Sequence, residues 1–295
     1  MDTAKIKTQY DDMIAQQLNR LGVAGENLTI LQNKDGITVA RVAGEGYSYI
    51  LKYFQNEAFR REIANYSRLS ALGIPTVPVI ASTDSAILLE DLDCSPVYRL
   101  GTLQDMSDAE IARRLATWYK RLHQSGYDYV KNHGTGLYDE TDYFTLENIA
   151  VVKEKTGTQG APAWGRLEQH YAAINAALHR VKQTIVYNDF FYTNMAVARD
   201  GSSALMFDYN LLGKGYAYAD LRNVTSSLSK KAGEAFLEEY GSYDPVEAAL
   251  DDVISVVCGL YMACQRKVFP NWAQNLLDEI ETKLIEKIER LQRFL

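Results

Sequence analysis

Residues 185–208 read IVYNDFFYTNMAVARDGSSALMFD, and the fold turns on how that stretch is parsed. Ile185, Val186 and Tyr187 make a short apolar strand, and Asp189 falls in the loop just after it. Asn194 stands five residues further on. Met195 to Ala198 and Ala204 to Phe207 flank Asp200-Gly201, a pair suited to the tight turn of a hairpin. The second hairpin strand runs into Asp208. Two carboxylates and one amide oxygen are therefore expected at one end of neighbouring strands. These are hard donors of the kind Mg²⁺ accepts, with phosphate oxygens and water completing the shell. A lone loop carboxylate more often caps or turns the chain, and D-x-x-x-x-N spacing recurs by chance. The placement between strands, with a hairpin leading to a second Asp, singles this one out.

Toward the N-terminus, Ile6, Tyr10, Met13, Ile14, Leu18 and Leu21 recur at helical spacing before Gly22. The period then changes to that of strands. Leu28–Leu31, Ile37–Val42 and Tyr47–Phe54 read as an antiparallel meander with turns at Asn33–Gly36 and Gly44–Gly46. A helix carries Phe59, Ile63, Tyr66, Leu69 and Leu72 on one side, and Gly73 and Pro75 stop it. Val77–Ile80 and Ala86–Leu89 follow as strands, with Pro78 placing the first at a sheet edge. From Asp91 the chain turns helical. Ser107-x-x-Glu110 has the form of a capping box ahead of Ile111, Leu115, Trp118 and Leu122. Lys153–Gly165 reads as a mobile loop, Tyr171–Val181 as a helix, and Leu277 to Leu295 as one last helix with a long apolar stripe. The expected class is α+β with two lobes, a small β-rich one over residues 1–91 and a larger helical one over 92–295.

Lys52 shares a strand face with Ile50 and Phe54. An ammonium so placed either snorkels to solvent or meets an anion.

The motifs together resemble a known family. YNDFFYTN is similar to H-[GN]-D-x-x-x-x-N of the aminoglycoside phosphotransferase and choline kinase superfamily, which has the protein-kinase-like fold. MFDYNLLGKGYAYADL resembles that family's I-D-[FWY]-x-x-x-x-x-G-x-x-x-x-D-[LI] signature. REIANYSRL resembles its R-E-x-x-x-Y-x-x-L helix, and ILLEDL its L-x-L-E-D-L segment. WYKRLH matches the family's L-A-x-x-L-H helix only in Leu122-His123. The resemblance runs in order along almost the whole chain. It implies a kinase in which Asp189 positions and helps deprotonate an acceptor hydroxyl, while Asn194 and Asp208 hold Mg²⁺ on ATP, with GTP as the alternative nucleotide. It implies that Lys52 meets the α- and β-phosphates, that Glu62 orients it, and that the backbone at Glu90 and Leu92 reads the base. Residues 1–91 would then bind nucleotide and 92–295 carry catalysis and the acceptor. Asp220 and His123 take structural places in the family. Three departures stand out: Tyr187 replaces the usual His, Phe190 and Phe191 make the loop more apolar, and the NKDG turn is short with one glycine.

Composition fits an enzyme of this kind. Apolar residues are 47% and charged residues 23%, as in ordinary globular chains. With 31 basic against 38 acidic residues the net charge is −7, which argues against a nucleic-acid partner. Three cysteines and four scattered histidines offer neither a disulfide set nor a zinc site. No signal segment or spanning apolar run is present, so a cytoplasmic protein without a membrane partner is expected. Glu234, Glu238, Glu239, Asp244, Glu247, Asp251 and Asp252 fall in one segment with no Lys or Arg. That segment reads either as a patch for a cationic acceptor or as a solvated helix face. Tyr209, Tyr216, Tyr218, Tyr240 and Tyr243 lie around it, and aromatic faces suit ammonium groups. An aminoglycoside-type kinase, a choline, ethanolamine or amino-sugar kinase, and a nucleotide-binding pseudokinase are the alternatives. Retention of Lys52, Asp189, Asn194 and Asp208 together counts against the last.

Overall fold

The computed structural model describes residues 3–23 and 27–295, with side chains from Asp12 onward. Helix α1 (Thr3–Arg20) leads, and its expected apolar positions Ile6 and Tyr10 lie outside the described side chains. Three strands follow: β1 (Asn27–Lys34), β2 (Ile37–Gly44) and β3 (Tyr47–Phe54). The first turn is Asp35-Gly36, with φ of 56° and 78°. Two successive positive φ angles match the twist of the flanking strands, and Asp and Gly tolerate them. Helix α2 (Arg61–Ala71) ends on Gly73 at φ 68°. Then come β4 (Val79–Ser82) and β5 (Ala86–Glu90), closing a sheet of order β1-β2-β3-β5-β4. The strand expected over Val77–Ile80 starts two residues later, after Pro78, and lies at the sheet edge as expected.

Beyond it run β6 (Tyr98–Leu100), α3 (Ala109–His133), α4 (Leu146–Thr156), α5 (Pro162–Leu178), β7 (Thr184–Val186), β8 (Met195–Ala198), β9 (Ala204–Met206) and β10 (Gly213–Gly215). Helices α6 (Ala217–Ser227), α7 (Lys230–Tyr240), α8 (Pro245–Cys264), α9 (Gln274–Thr282) and α10 (Leu284–Leu291) complete the chain. The class is α+β, a small antiparallel sheet with a mainly helical remainder. Among the described residues no helix is long and apolar enough to cross a membrane.

Several expectations are corrected. Asp108, not Ser107, caps α3: its carboxylate accepts from the amides of Glu110 and Ile111 at 2.8 and 3.2 Å, and an ionised acceptor suits a helix start. The supposed mobile loop is largely helix. Lys153–Thr156 continues α4 to the left-handed Gly157, and Pro162 opens α5. The last apolar stripe is broken at Lys283 (φ −126°) into α9 and α10.

The chain groups into two compact units. One runs through Arg121 and takes in Asp189–Leu212 and Ser227–Tyr240. Its small core packs Ile14 and Leu18 of α1 on Val42, Leu51 and Leu88 of the sheet. The other holds Leu122–Asn188, Gly213–Ser226 and Gly241–Leu295. There Trp164, Val253, Ile254, Leu284 and Ile288 belong to a mainly helical core.

Candidate active site

Strand alternation sends Lys52 to the cleft face of β3, and α2 brings Glu62 opposite it. Lys52 Nζ donates to both Glu62 oxygens at 2.7 Å and lies 3.1 Å from Asp208 Oδ1. Glu62 is fully buried and Lys52 is 6% exposed, so neither charge has water to answer it and each depends on the others. Burial pushes the Glu62 carboxyl up to about 7 against the pull of Lys52. Desolvation opposes the Lys52 charge, but Glu62 and Asp208 outweigh it and raise the ammonium above its ordinary value. The snorkelling alternative for Lys52 is not what the fold adopts. Glu57, in the same region of sequence, is exposed and pairs with Arg60 instead.

The β8–β9 hairpin forms as expected, with Met195 opposite Met206. Its ends are extended by the Phe207 amide donating to Asn194 O at 2.9 Å, which sets Asn194 and Asp208 beside each other. Asn194 Nδ2 donates to Asp189 Oδ2 at 3.1 Å and to Asp189 O at 3.3 Å. With the amine end of its amide spent on Asp189, the oxygen end is left for a cation. Asp208 has φ 62°, a conformation that costs a non-glycine residue about 1–3 kcal/mol and persists only where its surroundings enforce it. Those surroundings are visible. Asn65 Nδ2 donates to Tyr209 O at 2.8 Å, Arg61 Nε to Asn210 O at 2.6 Å, and the Tyr66 ring meets Tyr209 edge-on at 4.7 Å. Helix α2 thus grips the segment after Asp208 as well as supplying Glu62.

These residues open onto a cleft of about 490 Å³ lined by Val39, Ile50, Lys52, Leu92, Asn194 and Asp208 among others, with Glu90 on its wall. Val39, Ile50, Leu92 and Phe207 give it apolar lining, and Lys52, Asn194, Asp208, Arg41 and Asp91 give it charged and polar lining. The structure therefore brings Lys52, Glu62, Asp208, Asn194 and Asp189 into one connected group, and places Glu90 and Leu92 along the same cleft. Sequence reasoning missed Asn65 and Arg61, and it missed Arg41, which donates to Asp91 at 2.7 Å beside Leu92. Asn65 is a single polar side chain and carries no periodic signal. Nothing local marked the others.

The donor set suits Mg²⁺. One amide oxygen and one carboxylate leave most of an octahedral shell to phosphate and water, and the Lys52 ammonium already stands against Asp208 as a cation would. Asp208 keeps 32% of its side chain exposed, so an ion can reach it.

The acids of residues 234–252 are mostly engaged. Glu238 pairs with Arg113 at 2.8 Å, and Asp244 caps α8 on the Val246 amide at 2.8 Å. Glu247 accepts from the Tyr218 amide at 3.1 Å. Asp251 pairs with Arg222 at 2.6 Å and Asp252 with Arg290 at 3.2 Å. Glu234 and Glu239 remain exposed. As a patch for a cationic ligand the segment is corrected: caps and ion pairs consume most of its charge. Of the nearby tyrosines, Tyr209 and Tyr216 are core residues, and Tyr243 is 44% exposed. Tyr187 is fully buried, so the ring that stands in place of the family's His is part of the packing.

The family model for the phosphotransferase enzyme family matches residues 32–252. No curated protein sequence matches significantly. Among solved structures, the choline kinase LicA from Streptococcus pneumoniae superposes with a TM-score of 0.67 at 12% identity, over 96% of this chain and 99% of that one. The streptomycin–ATP–APH(2")-IIa ternary complex gives 0.65 at 16% identity, over 97% and 98%. The macrolide 2'-phosphotransferase MphH from Brachybacterium faecium gives 0.60 at 17%, over 92% and 98%. At such identities the likeness is one of fold.

Proposed function

Because the chain belongs to the phosphotransferase enzyme family, we propose that it transfers the γ-phosphoryl group of ATP to a hydroxyl of an aminated small molecule, using the group built around Lys52, Asp189, Asn194 and Asp208. That it is a phosphotransferase acting on an alcohol group follows from the family; the nucleotide, the metal, the acceptor and the residue roles are the proposal. The observation that carries it is the buried Lys52 ammonium held between Glu62 and Asp208 and lining a cleft beside Asn194. Lys52 lines that cleft, where an anionic ligand can meet its ammonium.

Lys52 neutralises phosphate charge, with Glu62 fixing its direction. The backbone of Glu90 and Leu92 faces the base. Asn194 and Asp208 would hold Mg²⁺, which supplies charge neutralisation when bound. Asp189 accepts a hydrogen bond from the acceptor hydroxyl and takes its proton as transfer proceeds, its carboxylate held by Asn194 Nδ2. Little covalent help is needed; the protein contributes position and charge. Residues 1–91 then serve the nucleotide, and 92–295 serve catalysis and the acceptor. Structures of similar fold include kinases whose descriptions name choline, ethanolamine, streptomycin and spectinomycin, all compounds that carry cationic nitrogen, which supports an aminated acceptor.

A coupled ADP-release screen over choline, ethanolamine, aminoglycosides, amino sugars and homoserine, run with ATP and with GTP, tests the reading. Mg²⁺-dependent release stimulated by one aminated hydroxyl compound is expected. Nucleotide binding with no turnover on any acceptor contradicts it and leaves a nucleotide-binding protein.

A further inference from the structure

Asn188, the residue before Asp189, has φ 67°. A non-glycine residue leaves the left-handed region unless it is held there, and in the second unit it is held from both ends of its peptide. Its amide donates to Asp220 Oδ1 at 2.9 Å, and the Tyr187 amide donates to Asp220 Oδ2 at 2.7 Å. Its carbonyl, the one that joins it to Asp189, accepts from Asn223 Nδ2 at 3.3 Å. Asp220 has the family's structural place, anchored by His123 at 3.0 Å. No such assignment covers Asn223.

The amide of Asn223 has a reason to face this way. Arg222 Nη1 donates to Asn223 Oδ1 at 2.8 Å, which fixes the oxygen end and turns Nδ2 toward Asn188. Arg222 is itself fixed by Asp251 Oδ2 at 2.6 Å, and Asp251 Oδ1 accepts from the Tyr216 hydroxyl at 3.1 Å. Asp251 and Tyr216 are 1% and 2% exposed. A chain of bonds therefore runs from the α8 core through α6 to the peptide that leads into Asp189.

Resting on the proposed role of Asp189, we infer that Asn223 is a positioning residue of the phosphotransfer site: it holds the Asn188 carbonyl, and the Arg222–Asp251 pair sets its amide. Losing the bond frees the 188–189 peptide to rotate out of the left-handed region and misdirects the Asp189 carboxylate. Small misplacement of a reacting group is felt in the rate of the bound complex more than in nucleotide binding. Asp251, one of the seven acids of the segment read as a patch for a cationic acceptor, is the far anchor of this chain.

Asn223→Asp tests this sharply, because it keeps the size and the acceptor for Arg222 and replaces the donor to Asn188 with a carboxylate oxygen that the carbonyl repels. Asn223→Ala removes both. Turnover is read as ADP release with whichever acceptor the screen identifies, or as Mg-ATP hydrolysis to water where none does. A kcat lower by about tenfold, the size expected for one lost positioning bond, with KM for ATP within about twofold, is expected of both variants. Amide hydrogen exchange over residues 187–190 should quicken in Asn223→Asp while exchange elsewhere stays as in the parent. If Asp189→Asn is inactive but both Asn223 variants keep the parental kcat, or if exchange at 187–190 is unchanged, the inference is overturned and the site stands. If Asp189→Asn still turns over, the reading of the site itself has failed.

Discussion

Lys52 keeps 6% of its surface exposed and has carboxylates at 2.7 and 3.1 Å. Removing one of these partners leaves a buried charge answered by the other alone. Glu62→Ala is expected to lower the unfolding free energy by about 3 kcal/mol, the usual cost of breaking a buried pair from one side, as read from urea denaturation. Glu62→Gln keeps the shape and should weaken Mg-ATP binding by roughly tenfold, because Lys52 then turns to Asp208 and away from the phosphates. The pH dependence follows from the same residue. Burial lifts the Glu62 carboxyl to about 7, so protons are taken up as pH falls through that value and the orienting charge is lost. Nucleotide affinity should decline on the acid side of 7 in the parent and show no such limb in Glu62→Gln. An identical limb in both would assign it to another group. The pairing of Lys52 with Glu62 was legible only through the resemblance of REIANYSRL to the family's helix, since strand alternation by itself left Lys52 to meet either solvent or an anion. Asn65, which reaches Tyr209 144 positions away, was not, because a single polar side chain carries no periodic signal.

At the scale of elements, the start of α8 shows where charge counting reaches its limit. Seven acids without a counter-charge in sequence looked like an unspent field, yet Asp244 is an N-cap and Glu247 accepts an amide. A helix start consumes negative charge without any basic residue nearby in sequence. Glu247 is 5% exposed, and burial first, with Asp244 and Asp251 adding to it, raises its carboxyl to about 7. The folded chain therefore keeps a proton that the unfolded chain releases near the ordinary Glu value. Its contribution to stability is present below about 4.5 and is lost as pH rises through 7. Glu247→Gln, still an acceptor for the Tyr218 amide, should raise the melting temperature at pH 8 and flatten its decline between pH 5 and 8. An unchanged slope would rule Glu247 out as its source. Short strands were the other blind spot. β6 and β10 are three residues each and exist because β8 and β7 offer them partners; the Gly-Lys-Gly of β10 has no strand propensity of its own.

For the molecule as a whole, the order of motifs along the chain carried more than any one of them. The meander, the α2 helix and the hairpin each appear where periodicity or turn chemistry puts them, and the segment from Asp208 to Asp220 follows in the order the family signature implies. The fold then converts that order into a connected group of Lys52, Glu62, Asp208, Asn194 and Asp189. The grips of Asn65 and Arg61 on the segment after Asp208, and of Asn223 on the Asn188 carbonyl, come from residues far apart in sequence and are visible only in three dimensions. The central claim is that this group transfers phosphoryl through Asp189. It is tested most directly by single-turnover transfer of the γ-phosphoryl from saturating Mg-ATP to the stimulating acceptor, comparing the parent with Asp189→Ala and measuring nucleotide affinity in both. The account predicts transfer in the parent, a loss of at least about a hundredfold in the variant, and nucleotide affinity unchanged within about twofold. Transfer at the parental rate by Asp189→Ala, or loss of nucleotide binding with the rate per bound nucleotide intact, would contradict it.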